Sequence, residues 1–194
     1  MYPQLERILP LVRKPIQYVG GELNATLKPW DSVAVRWALM YPDAYEVGLP
    51  NQGLQILYEV LNEREDVLAE RTYSVWPDME ALMREHGIAQ FTVDSHRPVR
   101  AFDVLGISFA TELGYTNLLT ALDLADIPLH SADRSDEDPI VLAGGHAAFN
   151  PEPIADFIDA AVLGDGEEAS LRISEIVRDW KAEGRPDGRD GLLF

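Results

Sequence analysis

Apolar side chains recur along this chain in two rhythms: short alternating or unbroken runs that suit strands, and a spacing of three to four that suits helices. Val33 to Met40 alternates and then runs apolar through Val33, Val35, Trp37 and Leu39, which predicts a first central strand. Tyr41 to Pro50 is the loop after it, and Asn51 stands where its side-chain oxygen can accept the unpaired N–H groups of a first helical turn. Leu54, Leu57, Tyr58 and Leu61 follow at helical spacing. Val67 to Tyr73 predicts a second strand, and Pro77 to His86 a second helix with its proline in the first turn. Ile88 to Val93 suits a short edge strand. Asp103 to Phe109 predicts the next central strand. Leu113 to Ala125 then continues as a helix, with Leu118, Leu119, Leu122 and Ala125 on one face. Ile127 to Leu129 fits a brief strand, and Arg134 to Asp138 reads as a solvated charged turn.

The densest pattern lies in residues 140–168. Ile140 to Ala143 is an apolar run between Pro139 and Gly144-Gly145, as expected of a strand buried on both faces. A short helix comes after the glycine pair. Ala160 to Leu163 is a second apolar run, closed by Gly164-Asp165-Gly166-Glu167-Glu168 and opening into the amphipathic stretch Ala169 to Trp180. Glycine directly after a buried strand permits positive φ and leaves main-chain N–H groups open to a ligand. In an open parallel sheet ligands sit beyond the carboxyl ends of the strands, so both glycine loops belong at that edge. Strands alternating with helices predict an α/β fold, an open and mostly parallel sheet with helices on both faces, over residues 33–183.

Residues 1–32 are poor in periodic pattern and carry Pro3, Pro10, Pro15 and Pro29, so they read as an arm with a short helix near Gln4 to Leu9. Arg13, Lys14 and Lys28 make the arm locally basic, and it can pack along its own domain or reach into a partner. Residues 184–194, rich in Gly, Pro and charge, read as a linker toward a further domain.

Lys and Arg total 16 against 33 Asp and Glu, a net charge of −17 that repels phosphate backbones and anionic lipid. Direct nucleic-acid and membrane partners are therefore not expected. Without a basic, apolar start or a run of about 18 apolar residues, a cytoplasmic location is the expectation. The sequence contains no cysteine, which excludes disulfides, thiolate metal sites, a cysteine nucleophile and a cysteine-ligated iron–sulfur cluster within these residues. There is no Gly-x-x-x-x-Gly-Lys phosphate loop and no Gly-x-Gly-x-x-Gly after a strand. Ser108-Phe109-Ala110-Thr111 lacks the aspartate that a phosphate-receiving domain needs at a central strand end. Trp30, Trp37, Trp76 and Trp180 read as core or arm packing. Glu167 and Glu168 sit where a helix dipole favours carboxylates, so neither a metal site nor an acid–base pair is assigned to them.

Gly144-Gly145-His146, then Asn150-Pro151-Glu152-Pro153, then the run from Asp159 to Glu168 together resemble the last third of a known domain. It is the cobalamin-binding-type domain at the N-terminus of a class of radical S-adenosylmethionine (radical SAM) proteins. Pro42 to Gly53 is similar to the first cofactor-side loop of that family. Asp94 to Pro98 with Phe102 to Gly106, and Glu112 to Asn117, are similar to its middle segments. The resemblance runs from about Leu9 to Ala169.

It implies a flavodoxin-like (Rossmann-like) domain that places a corrinoid beside a downstream radical SAM domain. The 4Fe-4S cluster and S-adenosylmethionine would belong to that domain, the expected partner. For this chain it implies cofactor contacts at Tyr45, Val47, Gly48 and Asn51 of the first loop. Ser108, Thr111 and Glu112 would lie beneath the ring, with Gly144, Gly145, Gly164, Asp165, Gly166 and Glu167 at its side chains and nucleotide tail. His146 is either a polar contact at the rim or an imidazole bonded to a neighbouring loop. Some cobalamin proteins hold the cobalt through the histidine of an Asp-x-His-x-x-Gly loop after the first strand, an imidazole that the aspartate orients. Asp43-Ala44-Tyr45 offers no histidine there, and the resemblance then implies a corrinoid bound without a protein imidazole, or none at all. The latter would be a degenerate module serving as a docking or substrate-presenting surface. Asp94-Ser95-His96 imitates the motif but lacks its glycine and precedes a strand, which makes His96 a surface or turn-capping residue.

Overall fold

The computed structural model describes residues 2–193; the first residue of the expected arm and the last of the expected linker lie outside them. Five strands form one sheet: β1 (Val35–Tyr41), β2 (Val67–Tyr73), β3 (Val104–Ser108), β4 (Ile140–Gly144) and β5 (Ala160–Ala161), in the order β2-β1-β3-β4-β5. Every neighbouring pair is parallel. The helices are α1 (Tyr2–Ile8), α2 (Tyr45–Gly48), α3 (Gln52–Glu63), α4 (Pro77–His86), α5 (Tyr115–Leu124), α6 (Gly166–Ala182) and α7 (Gly188–Leu193). The fold is α/β and flavodoxin-like, with its topological switch between β1 and β3.

The two-residue period of the strands sorts their side chains onto two covered faces. Val35, Trp37, Leu39, Val104, Ile140 and Leu142 meet α3 through Leu54, Tyr58 and Leu61, and α6 through Ile173 and Val177. Ala38, Met40, Leu105, Ile107, Val141 and Ala143 meet α5 through Leu118, Ala121 and Leu122, and the segment 152–158 through Ile154 and Ile158. Leu122 is fully buried, so truncating it to Ala should cost roughly 2–5 kcal/mol. Asn51 caps α3 as expected, its Oδ1 accepting from Leu54 N at 2.9 Å. Gly87 ends α4 in the left-handed conformation that its φ of 62° requires.

The arm packs along its own domain. Leu5, Ile8, Leu9, Val12 and Tyr18 join Met79, Met83, Ile88 and Phe91 in a separate apolar cluster beneath α4. Further on, Lys28 Nζ donates to Asn62 O, Arg64 O and Val67 O at 2.6–2.8 Å, placing a cation on the carbonyl end of α3 where the helix dipole favours it.

Several expectations give way to longer-range contacts. Residues 88–93 form no strand; an isolated bridge joins Phe91 to Pro98, and Val93 N donates to Arg71 O at the edge of β2. Residues 127–129 are likewise outside any strand. His96 is buried rather than superficial. It holds a φ of 58° and its Nε2 lies 2.9 Å from Tyr18 O, which can only accept, so that nitrogen carries the proton. The expected solvated turn at 134–138 buries both Arg134 and Asp138. Within the expected linker, α7 folds back, and its Arg189 is buried against Asp159, Asp138 O and Pro139 O.

Candidate functional site

Five loops leave the carboxyl edge of the sheet, and specific hydrogen bonds stitch three of them together. Asn117 Nδ2 in α5 donates to Pro42 O at 2.8 Å, joining the loops after β3 and β1. Tyr115 Oη lies 2.9 Å from Ala147 O and 3.0 Å from Asn150 O, joining α5 to the loop after β4. Phe109 N donates to Gly144 O at 2.8 Å and Ala147 N to Phe109 O at 3.0 Å, so the loops after β3 and β4 share two main-chain bonds. Gly145 sits inside that clasp at φ 86°, ψ −177°, a region open essentially to glycine alone. A Cβ there would stand 2.7 Å from Phe109 O.

Directly below this rim, on the face covered by α3 and α6, lies a cavity of about 220 Å³. Its floor is Trp37 and Leu39 of β1, Gly106 and Ser108 of β3, and Leu142 and Gly144 of β4. Leu39 pairs with Gly106, Gly106 with Leu142, and Ser108 with Gly144, so these positions adjoin on one face. The space exists because three floor positions carry almost no side chain. Gly106 also lets the Trp37 indole lie across β3, since a Cβ there would be 3.0 Å from Cζ3. Trp37 Nε1 donates to Ser174 Oγ at 2.9 Å, fixing the ring. Gly53, Leu54 and Leu57 of α3 form one wall; Val162, Gly164, Asp165, Gly166, Glu167, Ser170 and Ile173 form the other.

Around the rim, apolar side chains stand in solvent just after four strand ends: Val47, Leu113, Phe149 and Leu163. Leu113 is 86% and Phe149 63% exposed, unusual for residues of that size grouped at one edge. Among the described residues no cluster of three or more His, Cys, Asp or Glu side chains is placed to hold a metal ion, and no helix is long and apolar enough to cross a membrane.

The expected contact residues divide. Ser108, Gly144, Gly145, Gly164, Asp165, Gly166 and Glu167 line the cavity together. Thr111, Glu112 and His146 are exposed on the rim beside it, with the His146 and Phe149 rings 6.5 Å apart. Tyr45, Val47, Gly48 and Asn51 do not line it. Val47 is exposed, Asn51 is occupied as the cap of α3, and Gly48 packs against Tyr73, where a Cβ would meet the ring at 2.5 Å. The Tyr45 hydroxyl donates to Glu22 of the arm. Burial first, and then that bond, hold its pKa above the usual phenol value.

The arm thus covers the first loop. Lys14 Nζ lies 2.8 Å from Glu46, which Gln17 also contacts. The bond from Lys14 is the main reason that the Glu46 carboxyl is lowered to about 2.

Trp37, Gly53, Leu57, Gly106 and Ile173 are site residues that the sequence pattern does not single out. Gly106 carried a signal, because a lone glycine within an apolar strand marks a close approach. Leu57 and Ile173 looked like any core residue.

The chain is thus an open, all-parallel α/β domain with glycine corners above an apolar cavity at the carboxyl edge of its sheet. Within it, residues 53–193 match the model of the family described as radical SAM proteins, N-terminal, and the chain belongs to that family. No curated protein and no solved structure matches the chain.

Proposed function

We propose that this domain holds a corrinoid at its carboxyl edge and presents it to a radical SAM catalytic domain. The observation that carries the reading is the cavity whose floor is Gly106, Ser108 and Gly144, opening beneath loops with main chain exposed at Gly145 and Gly164. A benzene ring occupies an apolar cavity of about 150 Å³; the larger space here suits a flat aromatic arm such as the base of a nucleotide tail. The macrocycle would rest on the rim, where Leu113, Phe149 and Leu163 offer apolar contact and Thr111, Glu112 and His146 offer polar partners to its amides. When bound, a corrinoid supplies a redox-active cobalt. The residues of this chain bind, orient and shield it, while the cluster and S-adenosylmethionine belong to the catalytic domain.

A second reading is a docking module without cofactor, favoured by the same exposed apolar rim. Titration with hydroxocobalamin, followed by visible absorbance, separates the two. Gly144→Phe is the informative variant, because a Cβ at Gly144 meets nothing nearer than Ile107 O at 3.9 Å, so the ring enters the cavity without straining the loop. The corrinoid reading expects saturable binding that Gly144→Phe weakens at least about tenfold, equivalent to about 1.4 kcal/mol. No binding by the unaltered protein would favour the docking reading. Equal binding by the variant would move the site elsewhere.

A further inference from the structure

Near the end of β2 three buried side-chain oxygens stand without partners. Tyr73 Oη, Ser74 Oγ and Gln90 Oε1 are each shut away from solvent, and none has a hydrogen-bond partner within the protein. All three residues line one small cavity of about 10 Å³, separate from the cavity below the rim. Their orientations are fixed from outside. The Tyr73 ring lies against Gly48 and meets the Tyr45 ring edge-on at 5.5 Å. Gln90 Nε2 donates to Tyr73 O and to Thr72 Oγ1, both at 2.9 Å. Because Tyr73 O can only accept, the amide cannot be turned over, and Oε1 is committed to the other side.

A buried polar group left unpaired is expensive, and three around one void would be exceptional. The void has the room that a single water needs, about 10–15 Å³, and the partner number of two to four that a buried water takes. We propose that it is an internal water site. The Tyr73 hydroxyl donates to the water, which donates to Gln90 Oε1 and Ser74 Oγ. The ligand is neutral, since burial keeps the Tyr73 phenol protonated and, among the described residues, no carboxylate lines the cavity to balance a cation. Ser74 and Gln90 also line an open cleft of about 300 Å³ between α4 and α5, which gives the water its route of entry. The site would bind the end of β2 to the 88–93 segment, at a point also walled by Gln17 and Tyr18 of the arm.

Crystallography of this chain at about 1.5 Å, paired with melting of Tyr73→Phe, tests the assignment. A water site gives a density peak roughly 2.6–3.2 Å from all three oxygens. Tyr73→Phe then strips the water of its donor and lowers Tm by roughly 2–10 °C. In a dry cavity the hydroxyl is a burden, and its removal leaves Tm unchanged or raises it. Absence of the peak overturns the proposal, as does a peak at about 2.4 Å that follows the sodium concentration. Should Tyr73→Phe fail to fold, Ser74→Ala in the same crystals must still lose or displace the peak. An unmoved peak counts against the site.

Discussion

Replacing Gly145 by alanine tests how the rim is built. At φ 86° and ψ −177° an L side chain costs roughly 1–3 kcal/mol. The new Cβ would also sit 2.7 Å from Phe109 O and 3.1 Å from Phe109 C and N. The main chain at Phe109 has little freedom to yield, because the peptide on each side of it is tied: its carbonyl accepts from Ala147 N and its N–H donates to Gly144 O. Overpacking of this kind adds about 1–3 kcal/mol, for a total of about 2–6 kcal/mol. At about 2–4 °C per kcal/mol for a chain of this size, Tm should fall by roughly 4–24 °C. Gly144→Ala is the internal control. Its nearest neighbour is 3.9 Å away, so its change should stay within about 0.5 kcal/mol. Thermal melts and urea titrations of both variants, read by circular dichroism, give the comparison. Melting temperatures within about 1 °C of each other would refute the idea that Gly145, and not Gly144, carries the strained closure.

Buried charge gives two further expected outcomes. The Asp159 carboxylate is 1% exposed and lies between Arg134 at 3.1 Å and Arg189, while also accepting from Val141 N at 2.6 Å. Asp159→Ala leaves both guanidinium groups uncompensated and should cost about 3–5 kcal/mol in urea titrations. Removing Glu175 from its exposed pair with Arg172 should leave the urea midpoint nearly unchanged. Glu70 is buried, and burial raises its carboxyl pKa despite hydrogen bonds from Thr92 Oγ1 at 2.5 Å and Ser95 Oγ at 2.7 Å. The folded state therefore keeps its proton to higher pH than the unfolded chain does, and stability falls as pH rises through that window. Glu70→Gln should match the unaltered protein near pH 4 and melt above it at pH 8, in scans across that range.

Local pattern was enough to read β2 and α4 to the residue, because Val67 to Tyr73 and Pro77 to His86 are bounded by their own signals. The cap at Asn51 and the carboxylates opening α6 were legible for the same reason. Contacts made far along the chain were not. Ile88, Phe91 and Val93 are buried as their apolarity implies, yet side-chain packing and main-chain bonds to several separate segments hold them instead of a ladder. The run 160–163 pairs over two residues only, with Leu163 left in solvent. At the end of the chain the turn chemistry was right, since Gly184, Arg185, Asp187 and Gly188 all adopt positive φ. The residues beyond those turns form a docked helix because Arg189 finds Asp136 and Asp159, many residues away. Half of the expected site shared the cavity because glycines after strands announce themselves. The first loop did not, because only the folded arm reveals that Tyr45 and Glu46 are already occupied.

The most direct test of the central claim is a crystal structure of the protein grown with hydroxocobalamin. Binding as proposed places a macrocycle over Ser108 to Glu112 and Gly164 to Glu167, with one arm of the molecule inside the cavity bounded by Trp37, Gly106 and Gly144. A corrinoid bound at any other surface, with that cavity unaltered, would contradict it.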